Sequence, residues 1–132
     1  MQDTVALLRS AGLTPTPQRI AIARYIFDLG DHPTADEVLA AVRREHSTIS
    51  RATVYNTLHA LADKGLVRSR MLREGAAVID ARPEAHHHLI DEASGKIFDI
   101  PWDALKVAGV SELNDFDIWE YQVVLRGRKR QG

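Results

Sequence analysis

Up to Gly65 the apolar positions recur three and four apart, in stretches that each begin at a capping residue. Asp3 caps a first helix anchored by Val5, Leu7 and Leu8 and stopped at Gly12. Thr16-Pro17 pairs an N-cap with proline at the first helical position. That stretch runs through Ile20, Ala23, Ile26 and Phe27 to Gly30, a C-terminal signal. Thr34-Ala35-Asp36-Glu37 is a capping box ahead of Val38, Leu39 and Val42. Ser50 caps a fourth helix, whose apolar face is Val54, Leu58 and Leu61 and which closes at Lys64-Gly65.

Beyond Gly65 the pattern shortens to strands. Leu66 to Leu72 and Ala76 to Asp80 flank Glu74-Gly75, a hairpin signal. Helices followed by a β-hairpin is the order of a winged helix. Arg82-Pro83-Glu84 has linker character, which divides the chain into 1–81, a hinge at 82–85, and 86–132. His86 to Asp91 and Lys96 to Ile100 predict a second hairpin around Glu92-Ala93-Ser94-Gly95. A long strand is expected from Ile118 to Arg126, with Trp119, Tyr121, Val123 and Leu125 along one face. Trp119 and Tyr121 are expected to pack in a sheet between subunits, and the basic tail from Gly127 to Gly132 to be solvated. The fold class is therefore α+β: an N-terminal winged-helix domain and a small C-terminal α/β domain.

Composition narrows the choice. The chain has 132 residues, 45% hydrophobic and 27% charged, so each of two domains buries a small core and a partner chain or a metal is expected to add stability. With Cys 0, disulfides and a structural zinc held by four cysteines are excluded. No apolar run nears the ~20 residues that cross a bilayer. Met1-Gln2-Asp3-Thr4 lacks the basic, apolar start of a secretion signal, which makes the cytoplasm the expected location. The net charge of −1 gives no overall basic footprint, so contact with nucleic acid must come from a local patch.

The fourth helix offers such a patch. Opposite its apolar face lie Ala52, Asn56, His59 and Asp63, with Thr53 and Tyr55 on the shoulders. A short polar face of this kind fits a major groove. Asn pairs with adenine edges, while Ala, Thr and aromatic rings pack on thymine methyls. Arg51, His59, Lys64, Arg68 and Arg70 are placed to meet phosphates.

The second hairpin carries different chemistry. His86 and His88 share one strand face and His87 takes the other. A turn centred between Ala93 and Ser94 pairs Asp91 with Lys96 and sets Asp99 opposite His88, on the face of the two outer histidines. Two imidazoles and a carboxylate there form the nucleus of a divalent-metal site, and Asp80, across the linker, can add a second carboxylate. Such donors without thiolate suit Fe²⁺, Mn²⁺ or Zn²⁺, and more than four of them favour iron or manganese over tetrahedral zinc.

These residues resemble the ferric uptake regulator (Fur) superfamily of bacterial metalloregulators along nearly the whole chain. The resemblance runs through Gly12-Leu13-Thr14-Pro15-Thr16-Pro17-Gln18-Arg19, His32-Pro33-Thr34-Ala35-Asp36-Glu37-Val38 and Ser50-Arg51-Ala52-Thr53-Val54-Tyr55-Asn56-Thr57-Leu58. It continues through Lys64-Gly65-Leu66-Val67, His86-His87-His88-Leu89-Ile90 and Gly95-Lys96-Ile97-Phe98-Asp99-Ile100. It implies a regulatory metal site at His32, Asp80, His86, His88 and Asp99 that joins the two domains. Of these, His32 comes from the resemblance alone. It further implies a homodimer whose paired helices read an A·T-rich inverted repeat of double-stranded DNA, with Arg19 on phosphate and Tyr55 on a base. In the family's peroxide-responsive branch such aspartates accompany Fe²⁺, and peroxide oxidises histidine ligands that match His32 and His86. Iron-uptake repressors carry glutamates at the positions of Asp80 and Asp99.

Several departures stand out. The family's paired-cysteine zinc site is missing, and the stretch between Ile100 and Ile118 is short for its dimerisation helix. A second family site is matched only at His87, with Ala85 and Tyr121 at its other positions. The missing cysteines, the His triplet and the shortened helix most resemble the haem-linked iron-response regulators, with a Cys-less peroxide sensor carrying the same triplet as the close rival. His87 is thus either a secondary metal or haem contact or a solvated strand residue. Two other classes compete: a metalloenzyme, for which no separate general base is visible, and a metal-storage or haem-binding module without a DNA role.

Overall fold

The computed structural model describes residues 3–73 and 75–131. Met1 and Gln2 of the N-terminal reading, Glu74 of the first hairpin turn and Gly132 of the tail lie outside them. The chain divides into two compact units at Pro83/Glu84.

In the first unit the caps act as the sequence predicts. Asp3 accepts from Ala6 N–H and opens α1, Thr4–Ser10. Thr16 accepts from Arg19 N–H and opens α2, Pro17–Arg24. Thr34 and Glu37 form both bonds of the capping box that starts α3, Ala35–Val42. Ser50 accepts from Thr53 N–H ahead of α4, Arg51–Asp63. The core collects one face of each helix, with Ile22, Val38, Val54 and Leu61 fully buried. Burial contributes about 1.5–3 kcal/mol for each such side chain.

The second helix ends at Gly30 as expected, but α2 reaches it through a π-helical turn over Tyr25–Leu29, and Gly30 is extended, at φ −79 and ψ 152, rather than left-handed. Glycine is needed there for space: a Cβ would stand 2.9 Å from the Tyr25 carbonyl oxygen and 3.2 Å from the Pro33 ring. The wing then forms from β1, Arg68–Arg73, and β2, Ala76–Asp80, paired antiparallel with Arg68 opposite Asp80. Gly75, at φ +80, takes the turn. Thr34 bridges Val78, and Ile79 N–H donates to the Pro33 carbonyl at 2.7 Å. That ties the loop before α3 to the end of β2.

The second unit is a three-stranded sheet in the order β4-β3-β5. β3, His86–Asp91, pairs antiparallel with β4, Ile97–Pro101, and parallel with β5, Val124–Gly127. Asp91 closes the intervening turn by accepting from Ala93 N–H and the Ser94 hydroxyl. The long strand expected from Ile118 to Arg126 is corrected to these four residues. Residues 118–123 are irregular, and Trp119 is 90% exposed on the single chain. Between β4 and β5 lie 3₁₀ turns, Trp102–Ala104 and Val110–Glu112.

Candidate metal centre

β3 brings the outer members of the His triplet onto one side, and His88 stands opposite Asp99 in the register. The His86 and His88 Nε2 atoms lie 3.5 and 3.6 Å from the same Asp99 Oδ1. Their rings meet edge to face at 4.7 Å between centroids. Both histidines are buried and Asp99 is partly exposed.

Each ring is held from its other nitrogen. His86 Nδ1 donates to the Glu84 carbonyl, and His88 Nδ1 to the Gln122 side-chain oxygen, both at 2.7 Å. An acceptor-only partner fixes the proton on Nδ1, so in the neutral rings both Nε2 lone pairs aim at a carboxylate oxygen. Lone pairs facing an anion repel unless a cation stands between them. Two donors each ~2.1 Å from one ion stand about 3.0 Å apart at a right angle and about 3.4 Å apart at a tetrahedral one. The observed separations fit a shared divalent ion.

The first unit holds a second group. His32 and Asp80 offer donor atoms within 4.8 Å of each other, brought together by the Pro33–Ile79 bond between their neighbours. His32 adopts φ +50 and its Nδ1 donates to Asp31 Oδ1 at 2.8 Å, which again leaves Nε2 as the donor to a metal. Asp80 is 2% exposed. One of its oxygens accepts from Arg82 N–H at 3.1 Å and the other from Arg70 Nε at 2.8 Å.

That last bond corrects one expectation. Arg70 does not extend from the wing towards phosphate; its side chain is 12% exposed and paired with Asp80. His87 also departs from a solvated strand residue, being 1% exposed. Its ring stacks on Trp102 at 4.4 Å, and its Nδ1 accepts from Val123 N–H at 2.8 Å. The proton therefore sits on Nε2, and metal or haem ligation would require breaking the Val123 bond. Nothing in the sequence pattern singled out Gln122 or Asp31, because their roles depend on contacts that periodicity does not encode.

On α4 the outward residues Arg51, Ala52, Tyr55, Asn56 and His59 are exposed, and Thr53 is half-buried. Arg51 pairs with Asp36, and this bond first, then one to Tyr55, raises the guanidinium pKa above its ordinary value. Arg19, half-buried at the start of α2, donates to the Thr14 carbonyl at 3.0 Å. Lys64 and Arg68 are exposed at the end of α4 and the start of the wing.

A helix-and-wing unit joined to a small sheet with a His/Asp nest defines a metal-responsive transcriptional repressor. Residues 10–125 match the model of the ferric uptake regulator family, and the chain belongs to that family. The peroxide-responsive repressor PerR of Staphylococcus aureus strain Mu50 is 34% identical over 129 residues, covering 96% of this chain and 87% of that one. A solved zinc-bound manganese uptake regulator superposes with a TM-score of 0.71 at 26% identity, over 98% of this chain and 100% of that one. The Campylobacter jejuni peroxide stress regulator shares the fold, with a TM-score of 0.70 at 23% identity over 99% of this chain and 98% of that one. Regulators of this family bind DNA and form dimers, and they are transcription regulators rather than enzymes. Among the described residues no helix is long and apolar enough to cross a membrane.

Proposed function

We propose that this chain is a cytoplasmic homodimeric repressor that reads an A·T-rich inverted repeat and answers to Fe²⁺ or Mn²⁺ through His32, Asp80, His86, His88 and Asp99. Residues 1–81 act as the DNA-binding domain, 82–85 as the hinge and 86–132 as the dimerisation domain. The carrying observation is the convergence of the His86 and His88 Nε2 atoms on one Asp99 oxygen with both tautomers set by Nδ1 partners. Three imidazoles and two carboxylates favour iron or manganese, and Zn²⁺ can be taken by a four-donor subset. When bound, the ion supplies a positive charge that both ligand groups must face, and ferrous iron adds reactivity towards peroxide.

The chain's own residues do the rest. Asp31, the Glu84 carbonyl and Gln122 orient the three rings, while Arg70 and the Arg82 amide hold Asp80. Ligands drawn from both units by one ion restrict the hinge, and in a dimer that fixes the spacing of the two copies of α4. This is a two-state element biased by a ligand. Asn56, Tyr55, Ala52 and Thr53 then meet base edges, and Arg19, Arg51, His59, Lys64 and Arg68 meet the backbone. Peroxide is the favoured signal, supported by aspartates at positions 80 and 99 and by the similarity to the staphylococcal repressor. His32 and His86 are the residues it would oxidise.

The test is a mobility shift on an A·T-rich palindrome with Mn²⁺, with Fe²⁺ and with EDTA. Mass spectrometry of the peptides holding His32 and His86 follows peroxide treatment of the Fe²⁺ form. Retarded DNA with metal and a single oxygen added to a histidine peptide are expected. DNA left unbound in every metal state overturns the reading.

A further inference from the structure

Residues 118–123 form no regular element, yet they are tied to the ligand strand at successive positions. His88 N–H donates to the Val123 carbonyl at 3.1 Å, and Val123 N–H donates to His87 Nδ1 at 2.8 Å. The neighbouring Gln122 then places its side-chain oxygen 2.7 Å from His88 Nδ1. Tyr121 closes the arrangement against Trp102 at 4.8 Å, and Trp102 in turn stacks on His87.

The triplet therefore divides its work by strand alternation. His87, facing away from the metal side, grips the backbone of the incoming segment. His88, facing the metal side, receives the side chain that the grip delivers. The consequence for His88 is chemical. An amide oxygen on Nδ1 requires the proton there, so the Nε2 lone pair is turned to Asp99, 3.6 Å away. The His88 side chain is 0% exposed, so bulk water cannot substitute for the lost acceptor. Without it, the ring satisfies itself by moving its proton to Nε2, where the carboxylate can accept it. In that tautomer the ring carries a hydrogen where a metal ligand needs a lone pair.

We propose that Gln122 is a positioning residue for the metal site: it holds His88 in the ligand tautomer, with His87 as the anchor that places it. This rests on the reading of His88 as a ligand. Oxygen partners on the far nitrogen of a ligating histidine are worth roughly 10–100-fold in metal affinity.

The experiment compares Gln122→Met, which keeps length but removes the acceptor, with Gln122→Glu, which keeps an acceptor. Mn²⁺ affinity is measured on the full chain by competition with a chromogenic chelator, and the His88 tautomer by ¹⁵N NMR of the metal-free protein. Gln122→Met should bind Mn²⁺ about 10–100-fold more weakly and move the His88 proton towards Nε2. Gln122→Glu should keep Nδ1–H and bind at least as tightly as the parent. A Met variant within twofold of the parent overturns the proposal. So does a parent protein whose metal-free His88 is protonated on Nε2, a result that needs no variant to fold. His88→Ala separates the two layers. If it binds Mn²⁺ normally, the metal-site reading fails and takes this inference with it. If it loses binding while Gln122→Met does not, only the positioning role of Gln122 fails.

Discussion

The pair formed by Arg70 and Asp80 gives the sharpest test of the first unit. Arg70→Met keeps the aliphatic stem and removes the guanidinium that pairs with the carboxylate of Asp80, 2% exposed. Breaking a buried ion pair on one side costs about 3–5 kcal/mol, and the 12% exposure of Arg70 places this one at the lower end, ~3 kcal/mol. For a unit of this size the total stability is about 4–12 kcal/mol, so the loss is a large share of it. It corresponds to a fall in Tm of roughly 12–24 °C. The assay is thermal and urea unfolding of EDTA-treated protein, followed by circular dichroism. The double variant Arg70→Met/Asp80→Leu should recover most of the loss, because it removes the stranded charge as well. A change below ~0.5 kcal/mol in the single variant would mean that water screens the pair as it does at a surface, and the reasoning fails.

Three further outcomes are expected. Burial pushes the Glu37 carboxyl up, but the Thr34 amide and the Arg73 guanidinium outweigh it and leave the pKa below its ordinary 4.5. Its contribution is therefore full above the unfolded value and is lost as pH falls through the lowered folded value. The urea midpoints of the parent and Glu37→Gln should converge between neutral pH and about pH 3; midpoints that stay parallel refute this. Asn56→Ala should cost about 1–3 kcal/mol of discrimination at a single A·T position. Lys64→Ala should instead weaken all sequences alike and lower the salt slope by about 1; equal losses on operator and scrambled DNA for Asn56→Ala would remove it from base reading. His87→Phe keeps a ring against Trp102 but strands the Val123 amide, at about 1–3 kcal/mol. Faster hydrogen exchange at Val123 and weaker Mn²⁺ binding should accompany it, and unchanged exchange would show that the clamp is dispensable.

The parts of the structure visible in the sequence are those set by neighbours in the chain. Caps at Asp3, Thr16, Thr34 and Ser50 act within three residues, so residue type alone announces them. The facing of His88 and Asp99 follows from turn length, because a hairpin fixes its own register. What stayed hidden depends on distant partners. Trp119, Tyr121, Val123 and Leu125 alternate as a strand should, yet regular strand pairing with β3 begins only at Val124. Arg70 looked like a phosphate contact until Asp80, ten residues on in a paired strand, claimed it. His87 looked ambiguous because its partners, Trp102 and Val123, lie well beyond any local window. Gly30 caps the second helix as its residue type announces, but the close packing on Tyr25 and Pro33 that demands glycine there was not visible.

The strand that carries the histidines sits in the middle of its sheet, and one of its flanks is the parallel β5. A parallel neighbour cannot be supplied by a tight turn; it arrives only after a long crossover. During synthesis the helices and the wing can therefore consolidate while their ribosome still lacks the last edge of the sheet. The histidine strand thus gains its second flank only when residues 124–127 fold against it, after the helices and the wing have their own core.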